Sequence, residues 1–408
     1  MLKYLFTIWF NFTMAFLFFT HSIVAQDESL QDSKTLFFQN YLLKYGVDFS
    51  TSFIGDYFSN LSGGIQKEDS FINNILVSTG IDMNKLAGAD GLSLNLSGLG
   101  IQGGTFMQNT GAMQGISNIA GVNHWKLYEA WIEQNFLNED LSILIGLYDL
   151  NSEFDVRESS GIFINPSFGI GFDFAQSGEN GPSIFPYASL ALRINYNLSE
   201  SFKILTAVFD GVPGSLDDEK GFQVQWNKDE GAMLSTELIF FPSTREFGQN
   251  YSKYLIGLWY YTSDFENLSN NKNEKGNFGI YVSGEQFVYA ENLSQTQGLA
   301  LFGRFGIANG KFNQSDFSIL GGINYTGLIP ERDADVFGLA FTTIHLAEEY
   351  KEITRVEKIF ETILELTYSF KLLDWLTLQP DLQYVINPIF AQESSYAFTA
   401  GLRTGVAF

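Results

Sequence analysis

The strongest pattern in the chain is an alternation of apolar and polar side chains within segments of about ten residues. In the C-terminal segment, Tyr396, Phe398 and Leu402 lie on one face, and Thr399 and Arg403 lie on the other, because successive side chains of a β-strand point to opposite faces. The first face suits lipid and the second suits a water-filled lumen. The segment is therefore predicted to be a membrane-spanning strand.

The same alternation continues through earlier parts of the chain. Leu364 and Leu366 flank Glu365, and Arg193 follows Leu192. A soluble antiparallel sheet can also alternate, but its apolar face then needs a second sheet or helices to cover it. Because no helical periodicity supplies such a cover, the pattern favours an all-β fold, a transmembrane antiparallel β-barrel.

Counting these segments gives about sixteen strands, an even number that brings both ends of a bacterial barrel to the periplasmic side. They are predicted at 46–58, 73–83, 91–101, 125–135, 141–149, 186–197, 201–210, 231–241, 253–263, 276–288, 298–308, 316–326, 335–345, 361–371, 375–385 and 395–408. The connections that would be extracellular are long, at 102–124, 150–185, 211–230 and 346–360, whereas 136–140, 198–200 and 372–374 are short. Long outer loops and short periplasmic turns are typical of such barrels. Because a barrel of about 16 to 18 strands leaves an aqueous channel, a pore is predicted.

The first residues have the order of a secretory signal peptide. Lys3 is followed by an apolar stretch and then by small residues up to Ala25, which matches the basic, apolar and cleavage regions of such a signal. Cleavage is expected after Ala25 or a few residues away, and the alternative is a membrane anchor, which polar residues within the apolar run disfavour. We therefore divide the chain into a signal peptide at 1–25, an N-terminal periplasmic segment at 26–45 with a short helix near Lys34–Lys44, and an outer-membrane barrel domain at 46–408.

Composition agrees with a barrel and removes several other classes of protein. The chain has 40 Phe and 19 Tyr, yet its mean hydropathy is close to zero, as expected where lipid-facing and lumen-facing residues alternate. It has no Cys, which excludes disulfides, thiolate chemistry and Cys-based metal sites. The formal net charge of −23 argues against nucleic acid as a partner, since phosphate binding needs a basic surface.

The sequence offers little for catalysis. Its three His are His21, His124 and His345, and it contains no HExxH or GxSxG motif and no phosphate-binding glycine loop. We therefore predict that the protein is not an enzyme and uses neither a metal nor another cofactor.

Seven blocks, in order along the chain, resemble the carbohydrate-selective porin family, often called OprB. They include LYEAWIEQ at 127–134 and GLYDLNSEF at 146–154, and continue at 161–171, 176–186, 207–214, 327–335 and 373–384. The resemblance implies a 16-stranded porin, embedded in outer-membrane lipid, through which mono- or oligosaccharides diffuse passively. It leaves the oligomeric state open between a monomer and a homotrimer. The last strand ends on the aromatic Phe408, as outer-membrane barrels do, so contact with the barrel-assembly machinery is expected there.

The segment at 150–185 is predicted to be the third outer loop and to shape the pore. In porins of this size that loop folds into the lumen and narrows it, and a Gly-rich, Pro-containing sequence suits a compact inserted loop. The alternative is an ordinary surface loop. Within the segment at 150–185, the candidates for the constriction are Asp155, Arg157, Glu158 and Asp173.

The alternation within the predicted strands gives further candidates, which are the residues on the faces expected to line the pore. The charged ones are Arg193, Arg304, Arg403, Glu129, Glu133, Glu237 and Glu285. A charge facing lipid at the bilayer midplane would cost roughly 2–4 kcal/mol, so the lumen is the expected side. Opposed Arg and carboxylate groups suit sugars, whose hydroxyls donate and accept hydrogen bonds. Three aromatics on the same phase, Trp259, Tyr261 and Tyr281, are candidates for a sugar slide, or alternatively for packing or the rim girdle.

Three functions stay open from the sequence. The first is a passive porin for mono- or oligosaccharides. The second is a general or cation-preferring diffusion pore, motivated by the net charge of −23, because a lumen lined by one sign of charge concentrates the opposite ion. The third is a structural or adhesive surface barrel that is closed to solutes.

Overall fold

The fold is a closed antiparallel β-barrel of sixteen strands. A computed structural model describes residues 41–104, 106–214, 230–291 and 297–408. The barrel strands are β1 (Val47–Gly63), β2 (Asp69–Asp82), β3 (Leu92–Gly103), β4 (His124–Phe136), β5 (Leu141–Tyr148), β6 (Ser189–Asn197), β7 (Phe202–Asp210), β8 (Ala232–Phe240), β9 (Ser252–Tyr261), β12 (Phe278–Ala290), β13 (Gly298–Ala308), β14 (Ser315–Thr326), β15 (Val336–Leu346), β16 (Phe360–Leu373), β17 (Leu376–Ile386) and β18 (Tyr396–Ala407). Each pairs with the next along the chain, and β1 pairs with β18 to close the barrel. The short β10 (Phe265–Glu266) and β11 (Asn273–Glu274) form a separate two-stranded sheet.

The strand count predicted from the sequence is confirmed, and every predicted strand overlaps an observed one. The largest differences are at the first turn, where β1 extends past its predicted end at residue 58 and β2 begins before residue 73. Residues 59–63 are mostly polar or Gly, so the alternation fades there. The backbone pairing nevertheless continues, with Ser62 opposite Phe398.

Short helices occupy the connections between strands. They are α1 (Met83–Ala87), α2 (Met107–Thr110), α3 (Phe172–Ala175) and α4 (Glu348–Thr354). Asp82 caps α1 by accepting hydrogen bonds from the backbone N–H groups of Asn84 and Lys85. Within the four described ranges, no helix has the length and apolar character needed to cross a membrane.

The N-terminal predictions fall largely beyond the described chain. Residues 41–44 are helical, in agreement with the end of the helix predicted near Lys34–Lys44. The signal peptide at 1–25 and the rest of the periplasmic segment lie outside the described residues.

The two ends of the barrel differ in the length of their connections. One end carries the connections between β3 and β4 and between β5 and β6, whereas the other carries tight turns such as the one between β16 and β17. Because outer-membrane barrels have long extracellular loops and short periplasmic turns, we refer to these as the outer and the periplasmic end.

The outer surface of the barrel is apolar. On β9, Tyr254, Ile256 and Leu258 alternate with the inward-facing Lys253 and Leu255, and the first three are exposed whereas the last two are buried. An exposed apolar band of this kind is the surface that faces lipid in a membrane barrel.

The packed core lies inside the lumen. It is built by two outer connections that fold inward: the inserted loop (residues 149–188, between β5 and β6) and the second inserted segment (residues 106–123, between β3 and β4). Phe154 and Phe174 of the inserted loop pack with the wall residues Phe209 and Trp259. The lumen is therefore narrowed by tightly packed chain rather than open across its width.

A close contact on β18 gives a testable consequence for packing. Gly401 faces the lumen, and a Cβ added there would overlap the ring of Phe58, which packs on Phe106 of the second inserted segment at 5.3 Å between ring centroids. Since overpacking a core costs about 1–3 kcal/mol, Gly401→Ala should lower the temperature at which the barrel unfolds, measured by heat-modifiable migration in gel electrophoresis. Gly303→Ala is the matched control, because its nearest neighbour would be 3.8 Å away. Equal unfolding temperatures for the two variants would contradict this account.

Candidate functional site

Four charged side chains join the inserted loop to the wall. Arg304 of β13 contacts two carboxylates of the inserted loop, Asp155 at 2.7 Å from Nε and Asp173. Arg157, also in the loop, contacts Asp155. All four side chains are buried. Two positive and two negative charges therefore neutralise each other in a site that water does not reach. Removing one of them would leave an uncompensated charge in the interior.

The backbone of the inserted loop is shaped around this cluster. Arg157 donates to the carbonyls of Phe168 and Gly169 at 3.0 and 3.1 Å. The backbone N–H of Gly171 donates to Asp155 at 2.9 Å. A Cβ at Gly171 would overlap the guanidinium of Arg304, so the loop approaches the wall as closely as a residue without a side chain allows.

Two glutamates on the inner face of the barrel hold the inserted loop by its backbone. Glu237 of β8 accepts a hydrogen bond from the N–H of Asp155 at 2.7 Å and another from the hydroxyl of Tyr281. Glu285 of β12 accepts from both the N–H and the hydroxyl of Ser159, at 2.9 and 2.6 Å. Both glutamates are buried. They satisfy donors that would otherwise be buried without a partner.

Glu365 of β16 holds the far side of the inserted loop in the same way. It accepts from the N–H groups of Ile164 and Asn165, at 2.6 and 3.0 Å. Asn165 also donates to Gln383 of β17 at 3.3 Å. The loop is thus tied to opposite parts of the wall.

The second inserted segment has its own attachments. Glu361 of β16 accepts from the N–H groups of residues 113 and 114, at 2.8 and 2.9 Å. Arg403 of β18 donates to Asp56 of β1 at 2.8 Å and to the side-chain oxygen of Asn118 at 2.6 Å. Ser117 donates to the same Asp56 at 2.7 Å. We refer to Glu237, Glu285, Glu361 and Glu365 together as the wall glutamates.

The three aromatics predicted on the lumen face do face inward, but the inserted loop covers them. Phe174 stacks on Trp259 with 5.4 Å between ring centroids. The hydroxyl of Tyr261 lies 3.3 Å from that of Ser177, and the hydroxyl of Tyr281 donates to a wall glutamate. All three rings are fully buried, so none offers a face to a solute.

A second charged group lies on the other side of the loop. Arg193 of β6 contacts Glu133 of β4 and Glu153 of the inserted loop, each at 2.7 Å. The side chains of Glu133 and Glu153 are 20% and 24% exposed. Glu129, on the same face of β4, is also partly exposed and accepts from the N–H of Asp149 at 3.1 Å. Unlike the Arg304 cluster, these carboxylates reach solvent.

The sequence-derived candidates thus divide into two sets. The side chains buried between loop and wall are Asp155, Arg157, Asp173, Arg193, Arg304, Glu237, Glu285, Trp259, Tyr261 and Tyr281. Those that are partly or fully exposed are Glu129, Glu133, Glu158 and Arg403.

Burial also shows where the lumen stays accessible. In the middle of strands β8 to β15 the inward-facing side chains are covered, as at Glu237 and Ala340. Inward-facing side chains nearer the periplasmic end of β1 to β4 are partly exposed, as at Ser52, Ser78 and Asn95. Toward the outer end of the same strands, Phe58 and Leu99 are buried against the second inserted segment. The accessible part of the lumen, which we call the passage, therefore lies beside the periplasmic half of β1 to β4.

Several residues of the site were not singled out from the sequence. The inward-facing positions of their strands include Glu361, Glu365 and Asp56. The alternation of polar and apolar residues therefore predicts that these side chains face the lumen, but not which groups they bind. The connection at 102–124 was predicted as a long outer loop, without its entry into the lumen. Its Gly-rich sequence, similar in character to that of the inserted loop, was the available indication.

Comparisons with known proteins agree with this architecture. The family model described as carbohydrate-selective porin, OprB family, matches residues 67–408. Porin B of Pseudomonas aeruginosa is 23% identical over 409 aligned positions, covering 90% of this chain and 88% of that protein. The putative porin QuiX of Acinetobacter baylyi is 22% identical, with 90% of each chain covered. The high-pH structure of Pseudomonas putida OprB has a TM-score of 0.83 at 22% identity, covering 90% of this chain and 96% of that one.

Proposed function

Because this chain belongs to the carbohydrate-selective porin, OprB family, and is therefore a passive outer-membrane porin for carbohydrates, we propose that its sugars pass along the β1–β4 side of the lumen. Fold and family are those of a channel rather than an enzyme. The inserted loop and the second inserted segment would set the width of the passage.

One observation carries this proposal: most buried polar contacts of the inserted loop are with the β8–β17 wall, whereas the opposite wall keeps partly exposed polar side chains near the periplasmic end. The N–H groups held by Glu285 and Glu365 are examples of the first. The partly exposed Ser78 and Asn95 are examples of the second. The lumen is least filled by protein next to these hydroxyl and amide groups, so a solute that crosses the barrel would pass beside them. Such groups exchange hydrogen bonds readily with sugar hydroxyls.

The two sets of charged candidates then have different roles. We propose that the buried set, centred on Arg304 and Asp155, positions the inserted loop without touching the solute. Of the exposed set, Glu129, Glu133 and Arg403 would line the passage, whereas Glu158 lies beside β12, where its N–H donates to Glu285. The charges of the first three face water, where they can exchange hydrogen bonds with a passing sugar at little cost.

Single-channel recording tests the proposed function. Purified full-length protein in a planar bilayer should give current steps that glucose or maltose oligomers interrupt at millimolar levels, because a bound sugar displaces the ions that carry the current. Steps that no sugar affects, with a bias toward cations, would instead favour the general cation-preferring pore. That candidate is motivated by the exposed carboxylates of the passage. A protein that gives no steps would be the closed surface barrel.

Two finer points are also proposed. Phe408 lies at the periplasmic end, where its backbone pairs with Thr51 and its ring stacks on Trp375. We propose that this aromatic end is what the barrel-assembly machinery contacts.

The porin would work as a monomer or as a homotrimer, since each barrel encloses its own passage.

A further inference from the structure

Trp131 of β4 is an aromatic side chain that faces the lumen without being covered by the inserted loop. It lies two residues from Glu133 on the same strand, and the strand carries no bulge between them, so both face inward. Trp131 packs against the core cluster that contains Leu144 and Tyr148, yet it remains partly exposed. The Nε1 atom of the indole is buried, so the exposed part of this residue lies among its other atoms.

The other described tryptophans do not share this position. Trp259 faces inward but is fully buried under Phe174. Trp125, on the same strand as Trp131, is 59% exposed on the outer surface. Trp375 lies in the turn between β16 and β17 at the periplasmic end. In the described ranges, Trp131 is therefore the inward-facing tryptophan that is not fully buried.

Polar groups of both hydrogen-bonding kinds surround this ring. Asn95 of β3 stands directly opposite Trp131 in the sheet, a distance of about 5 Å between Cβ atoms. The side-chain oxygen of Asn95 accepts from Ser78 at 3.1 Å, which leaves its amide N–H groups able to donate into the passage. Glu133, partly exposed on the other side of Trp131, can only accept hydrogen bonds when ionised.

The charge around the ring favours a neutral ligand. Arg193 is engaged by Glu133 and Glu153, each at 2.7 Å. With Glu129 on the same face of β4 and Lys203 beside Glu153, the group has three carboxylates against two cations, which leaves one net negative charge when all five are ionised. An acidic sugar or a sugar phosphate would therefore be repelled, whereas a neutral pyranose would not be.

A pyranose matches this arrangement of groups. It has an apolar face of C–H groups, which can lie on an aromatic ring, and a rim of hydroxyls that donate and accept hydrogen bonds. We propose that Trp131, Asn95 and Glu133 form a subsite for a neutral saccharide in the lumen, with Trp131 as the surface on which the sugar ring stacks. This subsite rests on the proposed porin function and names the position at which the sugar is held.

The test is sugar block of single channels formed by the full chain, with maltotriose as the probe. Trp131→Ala should raise the concentration for half-maximal block about tenfold, because the stacked face and its buried area are lost together. Trp131→Phe keeps an aromatic face and should stay within about threefold of the native protein. Trp125→Ala is the matched control on the same strand and should leave the block unchanged, since that ring faces outward.

The outcomes separate this subsite from the porin function. If the native channel is blocked by maltotriose and Trp131→Ala is blocked equally well, the subsite is wrong and the porin function stands. If no sugar blocks the native channel, the proposed passage of sugars fails, and the subsite fails with it. Glucuronate blocking more strongly than glucose would overturn the assignment to neutral sugars. Should Trp131→Ala fail to form a barrel, Asn95→Ala must weaken the block in its place, and an unchanged block in that variant would overturn the subsite.

Discussion

Arg304→Met is expected to widen the channel and to remove most of its sugar block. The change leaves Asp155 and Asp173 buried opposite an apolar side chain, with one arginine, Arg157, to balance two carboxylates. Breaking a buried ion pair by removing one partner costs about 3–5 kcal/mol. The inserted loop can avoid that cost by leaving the wall so that its carboxylates reach water. Single-channel conductance should then rise, and maltotriose should interrupt the current far less.

Two comparisons make this result specific to the buried cluster. Lys67→Met also removes one positive charge, but Lys67 is exposed in the turn between β1 and β2, and conductance and block should not change. Arg304→Lys keeps the charge but loses the planar fork that contacts both carboxylates, so an intermediate effect is expected. A native conductance and native sugar block in Arg304→Met would show that this cluster does not hold the loop in the lumen.

Glu365→Ala is expected to make the open channel noisy and weakly selective. Glu365 accepts from the N–H groups of Ile164 and Asn165, and an alanine leaves both donors without that acceptor. Each buried donor left unsatisfied costs about 1–3 kcal/mol. The central part of the inserted loop should therefore fluctuate between attached and detached positions, and the open-channel current should fluctuate with it. The barrel itself should persist, because β16 still pairs with β15 and β17 through the backbone.

The control for this variant is Glu357→Ala, an exposed carboxylate in the connection between α4 and β16. It removes the same group from the same region of sequence and should leave the current quiet. Glu365→Gln is informative as well, because its one amide oxygen can accept from one N–H group while its NH2 faces the other donor. If Glu365→Ala gives the same open-channel noise as Glu357→Ala, Glu365 is not what positions the central part of the inserted loop.

The two variants address different parts of one loop. Arg304 holds residues 155 and 173, whereas Glu365 holds residues 164 and 165. A porin must keep a loop rigid in an aqueous lumen, where its polar backbone would otherwise be free to bind water. Buried carboxylates that accept hydrogen bonds from several N–H groups at once keep the loop rigid, and they add no apolar surface to the passage.

The strands and their faces could be predicted from sequence because they depend on local order. A period of two assigns each side chain to lipid or lumen whatever its neighbours are, so Arg193, Arg304 and Arg403 were placed inward correctly from their own strands. The even number of strands and the alternation of long and short connections followed from the same count.

Which inward residues meet the solute was decided by tertiary structure alone. Trp259 and Trp131 occupy equivalent inward positions on their strands, yet one is fully buried and the other partly exposed. The difference is made by Phe174, a residue far from either in sequence. Likewise, Glu365 binds N–H groups some 200 residues away along the chain, a partnership to which no local pattern points. The sequence by itself determined the barrel and the direction of its side chains, because strand geometry is local. Only the tertiary structure decided how the two inserted segments divide the lumen into a packed side and a passage, because that division depends on packing between distant parts of the chain.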